Sequence, residues 1–143
     1  ASRGLGDVYK RQFLDLLHKE AKLNEIVMLV GEDVLPDDQR LVLEICRVIK
    51  VGFLQQNAFN PTDTYVPLEK QFEMLKTIDL LFELGNEAVE KQIPISQIKN
   101  DALYGKVINM KYDVPNDDLS KIVEINNEIK EFYRRLIDEN VGE

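Results

Sequence analysis

The sequence predicts an all-α protein, a bundle of four to six helices. Apolar residues recur every three or four positions through most of the chain, which is the spacing of one face of an amphipathic helix. No alternating apolar and polar run is longer than a few residues, so no strand is predicted. Proline, glycine and aspartate stand where the helical patterns stop, as is typical of turns between helices.

The first predicted helix begins at Phe13 and ends before Gly31, because glycine accepts the left-handed backbone of a helix stop. Its apolar face is Phe13, Leu16, Leu17, Ala21, Ile26, Val27 and Val30. Residues 1–12 contain no initiator methionine and resemble translated sequencing-adapter sequence, so we exclude them from the fold prediction. We therefore expect a natural chain that starts near Phe13, is truncated upstream, and forms one helical domain over 13–143.

An acidic turn over residues 33–38 leads into the second predicted helix. Its members are Asp33, Val34, Leu35, Pro36, Asp37 and Asp38. Pro36 and the two aspartates after it suit the first turn of that helix, where the helix dipole favours anions. The helix carries Leu41, Ile45, Val48 and Ile49, and we expect it to run to about Gln56. The turn is either a solvated, well-capped connection or a protruding contact point for a partner.

The second half of the chain contains the remaining predicted helices. Asn60-Pro61 and Val66-Pro67 predict a loop over 57–67, because proline disfavours helical geometry in the residue before it. The third helix starts at Pro67 with the apolar face Phe72, Leu75, Ile78, Leu81 and Phe82. After the break at Ile93-Pro94, Ser96 is expected to cap a short helix that runs through Leu103. Residues 115–118 open a last helix with the stripe Leu119, Ile122, Ile125, Ile129, Phe132 or Tyr133, and Leu136.

The composition excludes several classes of function. The chain has 18 basic and 26 acidic residues, a net charge of −8, which disfavours binding to nucleic acid. No apolar run approaches the roughly 20 residues that span a bilayer. The single cysteine, Cys46, allows no internal disulfide and fits a reducing compartment.

The sequence contains no recognisable catalytic apparatus. There is no Gly-x-x-x-x-Gly-Lys-Ser/Thr loop to bind nucleotide phosphates. His18 is interpreted as a surface or boundary residue, since a zinc site needs several such ligands. Cys46 is interpreted as a small buried hydrophobic residue on the second helix. We predict no catalytic residue and no metal site in this chain.

One segment, Phe53 to Phe59, has an unusual composition: two phenylalanines, two glutamines and an asparagine where a helix ends. It is either a helix end with aromatic anchors or the wall of a binding pocket. Aromatic rings can stack on a nucleobase, and the amides can bind its polar edge.

These residues carry a family resemblance. Leu23-Asn24-Glu25-Ile26-Val27-Met28-Leu29-Val30-Gly31, the acidic turn, Arg40-Leu41 and Phe53-Leu54-Gln55-Gln56-Asn57-Ala58-Phe59 resemble the catalytic A subunit of V/A-type rotary ATPases. Asp63-Thr64-Tyr65, Glu69-Lys70-Gln71 and Met110-Lys111-Tyr112 extend the resemblance, which runs from about Phe13 to the end of the chain. It implies the C-terminal helical domain of that subunit, whose phosphate loop and catalytic carboxylate lie upstream.

The resemblance also implies sites, cofactors and partners. By analogy with the related beta subunit of F-type synthases, Ala58 and Phe59, with Phe53 and Gln56, would line an adenine pocket. The acidic turn, residues 33–38, would face the central rotor stalk, through its shape more than through a fixed charge pattern. The parent subunit would bind ATP or ADP with Mg, while this chain alone would bind none. Its partners would be B subunits in an alternating A/B hexamer and the stalk, on the cytoplasmic side of a membrane that it meets only indirectly.

Two other hypotheses remain open from the sequence. A free-standing helical adaptor would bind a partner through an apolar groove. A small enzyme would use some of the scattered carboxylates and would be active as the isolated chain.

Overall fold

The fold is a bundle of six α-helices, as seen in a computed structural model that describes residues 2–54 and 66–141. The helices are α1 (Ser2–Val30), α2 (Asp37–Val48), α3 (Leu68–Glu90), α4 (Ile95–Ile98), α5 (Asp101–Asp113) and α6 (Ser120–Val141). A 3-10 turn, Glu32–Val34, follows α1, and a π-helical segment, Ile49–Leu54, follows α2. No strand occurs in the described residues, and the predicted all-α class is confirmed.

Helix α1 begins before the predicted start at Phe13. Its first turns pack on α3: the rings of Tyr9 and Phe72 lie 5.9 Å apart, and Gln12 Nε2 donates to Asp79 Oδ1 at 2.8 Å. Residues 2–12, which the fold prediction left out, are therefore helical and packed on α3, while the division of the chain at residue 13 stays a prediction. The adapter-like origin of this stretch stays a prediction, because a helical conformation says nothing about where the sequence came from.

The core lies where α1, α2 and α3 pack together, with α6 along α3 and α5 against the π-helical segment. Most predicted stripe residues are buried there: Phe13, Leu16, Leu41, Ile45, Val48, Ile49, Leu75, Ile78, Leu81, Ile122, Ile129, Tyr133 and Leu136. Ala21, Ile26 and Val30 are exceptions: Ala21 is exposed, and Ile26 and Val30 have 42% and 57% of their surface exposed. After the buried Leu23, Val27 is half-buried against the core, while the other apolar residues of the last two turns of α1 are exposed.

The region between α3 and α6 differs from the sequence prediction. Ser96 does not cap a helix through Leu103, because α4 is a single turn with Pro94 at its N-cap. Lys99 takes an extended conformation that ends α4, and Asn100 caps α5 by accepting a hydrogen bond from the Leu103 amide at 2.9 Å. Helix α5 itself was missed by the sequence prediction.

Helix boundaries elsewhere shift by a few residues. The last helix starts at Ser120, after the predicted opening at 115–118, and the Asp118 carboxylate accepts from the Ser120 amide at 3.2 Å. The second helix ends at Val48 as a regular α-helix and continues as the π-helical segment to Leu54. The predicted end near Gln56 lies outside the described residues.

Candidate functional site

The first candidate region is the turn that joins α1 to α2. Gly31 ends α1 with φ 92° and ψ 159°, a conformation that suits glycine, and its amide donates to the Val27 carbonyl at 2.9 Å. The 3-10 turn Glu32–Val34 follows, and Pro36 at the N-cap opens α2 with Asp37 and Asp38 in its first turn. The predicted stop at glycine is confirmed. The two aspartates lie in the first turn of α2 as predicted, whereas Pro36, predicted in that turn, lies one residue before it at the N-cap.

The predicted contact residues of this turn do not share one environment. Asp33, Val34, Pro36 and Asp38 are exposed, whereas Leu35 is buried in the core. Asp37 is half-buried, and its Oδ2 accepts a hydrogen bond from the Ile95 amide at 3.2 Å. Leu35 therefore anchors the turn in the core, and Asp37 ties it to α4.

An apolar surface next to this turn was missed by the sequence prediction. It consists of Met28, Leu29, Val30 and Val34, which are 87%, 84%, 57% and 62% exposed, and we call it the apolar tip. Acidic side chains of Glu25, Glu32 and Asp33 are exposed around it. Large hydrophobic residues grouped on a surface mark interaction sites. The signal in the sequence was the run Met28-Leu29-Val30, which is too continuous for a single helical stripe.

The second candidate region is the end of the π-helical segment. Phe53 is half-buried there and lines a cavity of about 310 Å³ between α1, the π-helical segment and α3. Most of the lining is apolar, and it includes Phe13, Leu17, Ile49 and Leu75. The other three predicted adenine-pocket residues, Gln56, Ala58 and Phe59, lie outside the described residues.

The single cysteine and the single histidine fit the roles predicted for them. Cys46 is fully buried and its Sγ lies 3.3 Å from the Leu16 carbonyl oxygen. Burial raises the pKa of the Cys46 thiol to about 12, so the thiolate that a nucleophile requires is disfavoured. His18 is exposed on α1.

Neither a metal cluster nor a membrane-spanning helix occurs in the described part of the chain. Within residues 2–54 and 66–141, no three histidine, cysteine, aspartate or glutamate side chains are grouped so that they could hold a metal ion. None of the helices in these same ranges has the length and apolar character needed to cross a membrane.

Comparison with known proteins gives a consistent result. The family model described as the C-terminal domain of V and A type ATP synthase matches residues 8–99, which include the turn, the apolar tip and Phe53. The V-type ATP synthase alpha chain 2 of Clostridium tetani is 52% identical over 130 residues, 91% of this chain and 22% of that protein. The V-type ATP synthase alpha chain of Halothermothrix orenii is 51% identical over 123 residues, 86% of this chain and 21% of that protein.

An archaeal relative extends the similarity. The A subunit of the A-type ATP synthase of Methanopyrus kandleri is 46% identical over 127 residues, 88% of this chain and 21% of that protein. The chain thus spans about a fifth of the length of these relatives. The matched family model covers well over half of the 143 residues. The chain belongs to the family of C-terminal domains of V and A type ATP synthases.

Proposed function

We propose that this chain is the C-terminal part of the catalytic A subunit of a V/A-type ATP synthase or ATPase that moves protons or sodium ions. The observation that carries the proposal is the family match through both candidate regions, together with relatives named as the alpha chain or the A subunit. ATP or ADP with Mg would be bound by the parent subunit, whose phosphate loop this sequence does not contain. ATP turnover therefore belongs to the parent subunit.

The first role we assign to the domain is to complete the adenine pocket. Phe53 stands half-buried at the end of the π-helical segment, where it lines an apolar cavity. The residues that follow it, with Gln56, Ala58 and Phe59, are assigned to the same wall on the family resemblance. An aromatic and amide wall of this kind suits a purine base, which offers a stacking face and polar edges.

The second role is to transmit motion to the central stalk. Leu35 in the core and the hydrogen bond from the Ile95 amide to Asp37 fix the turn to the rest of the bundle. A rigid-body movement of the domain would therefore carry the turn and the apolar tip with it. Val34 is part of the tip and of the acidic turn, so contact with the stalk would combine apolar packing with an acidic edge.

Partners and location follow from the same assignment. The parent subunit would alternate with B subunits in a hexamer around the stalk. It would lie on the cytoplasmic side of the membrane and reach the membrane only through the ion-translocating sector. A free-standing adaptor or a small enzyme gains no support from these relatives, which are named as chains or subunits of ATP synthases.

The rotor role is tested by substituting two exposed residues of the apolar tip, Met28→Ser and Leu29→Ser together, in the full-length subunit. Deletion of 34–38 is the poorer test, because it would remove the buried Leu35 and the partner of the Ile95 amide. We expect ATP affinity to stay unchanged while ion pumping per ATP hydrolysed falls. The matched control is Val123→Ser, an exposed apolar residue of α6 outside the tip. Equal loss of nucleotide affinity and of pumping would contradict the role.

The adenine role is tested separately by Phe59→Ala in the full-length subunit. The loss of one aromatic wall is expected to weaken ATP binding by roughly tenfold, since stacking on a base contributes about 1–3 kcal/mol. Unchanged affinity in a normally folded subunit would remove the adenine role and leave the rotor role standing.

A further inference from the structure

The π-helical segment Ile49–Leu54 approaches α5 unusually closely at one residue. Gly52 is buried, and a Cβ atom placed on it would lie 3.0 Å from the Cα of Ile108 and 3.3 Å from the Ile108 carbonyl oxygen. Both are main-chain atoms inside a helix, so neither can move aside as the end of a flexible side chain could. The contact therefore favours glycine, since an alanine here would force the two helical segments apart by a few tenths of an ångström.

Other glycines in the described residues do not make such a contact. A Cβ on Gly85 would meet only the ends of the Leu41 and Ile98 side chains, at 3.1 Å and 3.7 Å. A Cβ on Gly105, which lies on α5 itself, would meet nothing within 4 Å. Gly52 is thus the described glycine whose nearest neighbours are backbone atoms of another element.

The π-helical segment contacts both α1 and α5. On its outer side, Lys50 Nζ forms an ion pair with Glu20 Oε2 of α1 at 2.9 Å. On its inner side, Gly52 rests on the backbone of α5. A π-helical turn contains more residues than an α-helical turn, so it redirects the chain that follows, and such turns are frequent at functional sites. The next residue is Phe53, which lines the apolar cavity.

We infer that Gly52 is a positioning residue for nucleotide binding by the parent subunit. Its contact with Ile108 holds the π-helical segment at a fixed place on α5 and so sets where Phe53, the first residue of the proposed wall, stands. Gly52 itself touches no nucleotide and acts through that wall. The inference rests on the proposed function, because it matters only if Phe53 and the residues after it face the base.

The test compares two glycine substitutions in the full-length subunit within the assembled complex. Gly52→Ala should displace Phe53, whereas Gly105→Ala adds the same methyl group where there is open space. Each variant is titrated with ATP and with inorganic tripolyphosphate, which lacks the base and the ribose. We expect Gly52→Ala to weaken ATP binding by roughly tenfold, the scale of one lost base stack, and to leave tripolyphosphate binding within about twofold. Gly105→Ala should change neither.

Two outcomes overturn the inference. Unchanged ATP affinity in Gly52→Ala would show that the contact does not set the wall, and equal weakening of both ligands would show general loss of structure. The proposed function fails independently if Phe59→Ala leaves ATP affinity unchanged. If Phe59→Ala weakens ATP binding and Gly52→Ala does not, only the positioning role is lost.

A measurement on the unmodified complex covers the case in which Gly52→Ala does not assemble. Hydrogen exchange of the amides in 49–54 is followed without ligand, with ADP and with tripolyphosphate. We expect ADP, and not tripolyphosphate, to slow exchange in this segment, because only ADP carries a base for the wall to hold. Equal exchange in all three conditions would overturn the positioning role.

Discussion

Lys70 of α3 donates a hydrogen bond from its Nζ to the backbone carbonyl of Lys111, at 2.9 Å, near the end of α5. The same ammonium group donates to the Val114 carbonyl at 2.5 Å and to Asn116 Oδ1 at 2.9 Å, and only 1% of Lys70 is exposed. The last carbonyls of a helix lack partners within it and favour a cation. Lys70 therefore caps α5 from a neighbouring helix, at a cost that shows in its pKa, which burial lowers, with a further contribution from Lys111.

Lys70→Met is expected to lower the free energy of unfolding by roughly 1–3 kcal/mol, because buried carbonyl groups lose their donor while the apolar volume is kept. Urea unfolding of the 143-residue chain measures the change. Lys76→Met is the matched control on the same helix: its ammonium group is in a surface pair with Glu73 at 3.7 Å, and we expect a change within about 0.5 kcal/mol. Equal losses in the two variants would contradict the capping role.

Lys70 also shows what the sequence could not predict. The helices with strong apolar stripes were predicted from period alone, since each stripe is a local pattern. The burial of Lys70 depends on carbonyls far along the chain, at Lys111 and Val114, and no local pattern reports it. The same holds for Val30, which continues the α1 stripe in sequence but is 57% exposed in the fold. Helix α5 was missed because Asn100 was not identified as its N-cap.

For the candidate site, too, the sequence located the segments but did not predict which of their residues are buried. The resemblance located the acidic turn, and the structure then separated its members, since burial of Leu35 and the bond to Asp37 depend on packing against α4 and the core. Met28 and Leu29 stand out only once exposure is known. Of the predicted adenine-pocket residues, Phe53 alone is described, and its assignment stays a proposal.

Two buried tyrosines give a matched pair for the next prediction. The Tyr133 hydroxyl donates to the Ile98 carbonyl at 2.9 Å and links α6 to α4. The Tyr104 hydroxyl is also buried and faces Tyr133, but among residues 2–54 and 66–141 it has no hydrogen-bond partner of good geometry. We expect Tyr133→Phe to lower the free energy of unfolding by about 1 kcal/mol and Tyr104→Phe to change it less or to raise it. Urea unfolding at neutral pH checks the order, and a larger loss in Tyr104→Phe would contradict it.

The difference in the free energy of unfolding between Tyr133→Phe and the parent chain should also depend on pH. Burial raises the pKa of Tyr133 from 10.0 to about 12, so above pH 10 the unfolded chain loses this proton while the folded chain keeps it. The stabilisation that Tyr133 provides is then present below pH 10 and falls as the pH rises toward 12. We expect the free energies of unfolding of the two proteins, measured at about pH 7, 9 and 10.5, to be most similar at about pH 10.5.

Gly31 sets the direction of the chain between α1 and the 3-10 turn, and it gives the last prediction. Its φ of 92° and ψ of 159° lie in a region that is essentially restricted to glycine, while a Cβ on it would meet nothing within 4 Å. Gly31→Ala is therefore expected to cost roughly 1–3 kcal/mol through backbone strain alone, without any clash. Gly105→Ala, in the open middle of α5, is the control and should be neutral or stabilising by up to about 1 kcal/mol. If Gly31→Ala unfolds at the same urea concentration as the parent chain, the turn is not held in this conformation, which would contradict the rigid turn that the proposed stalk contact assumes.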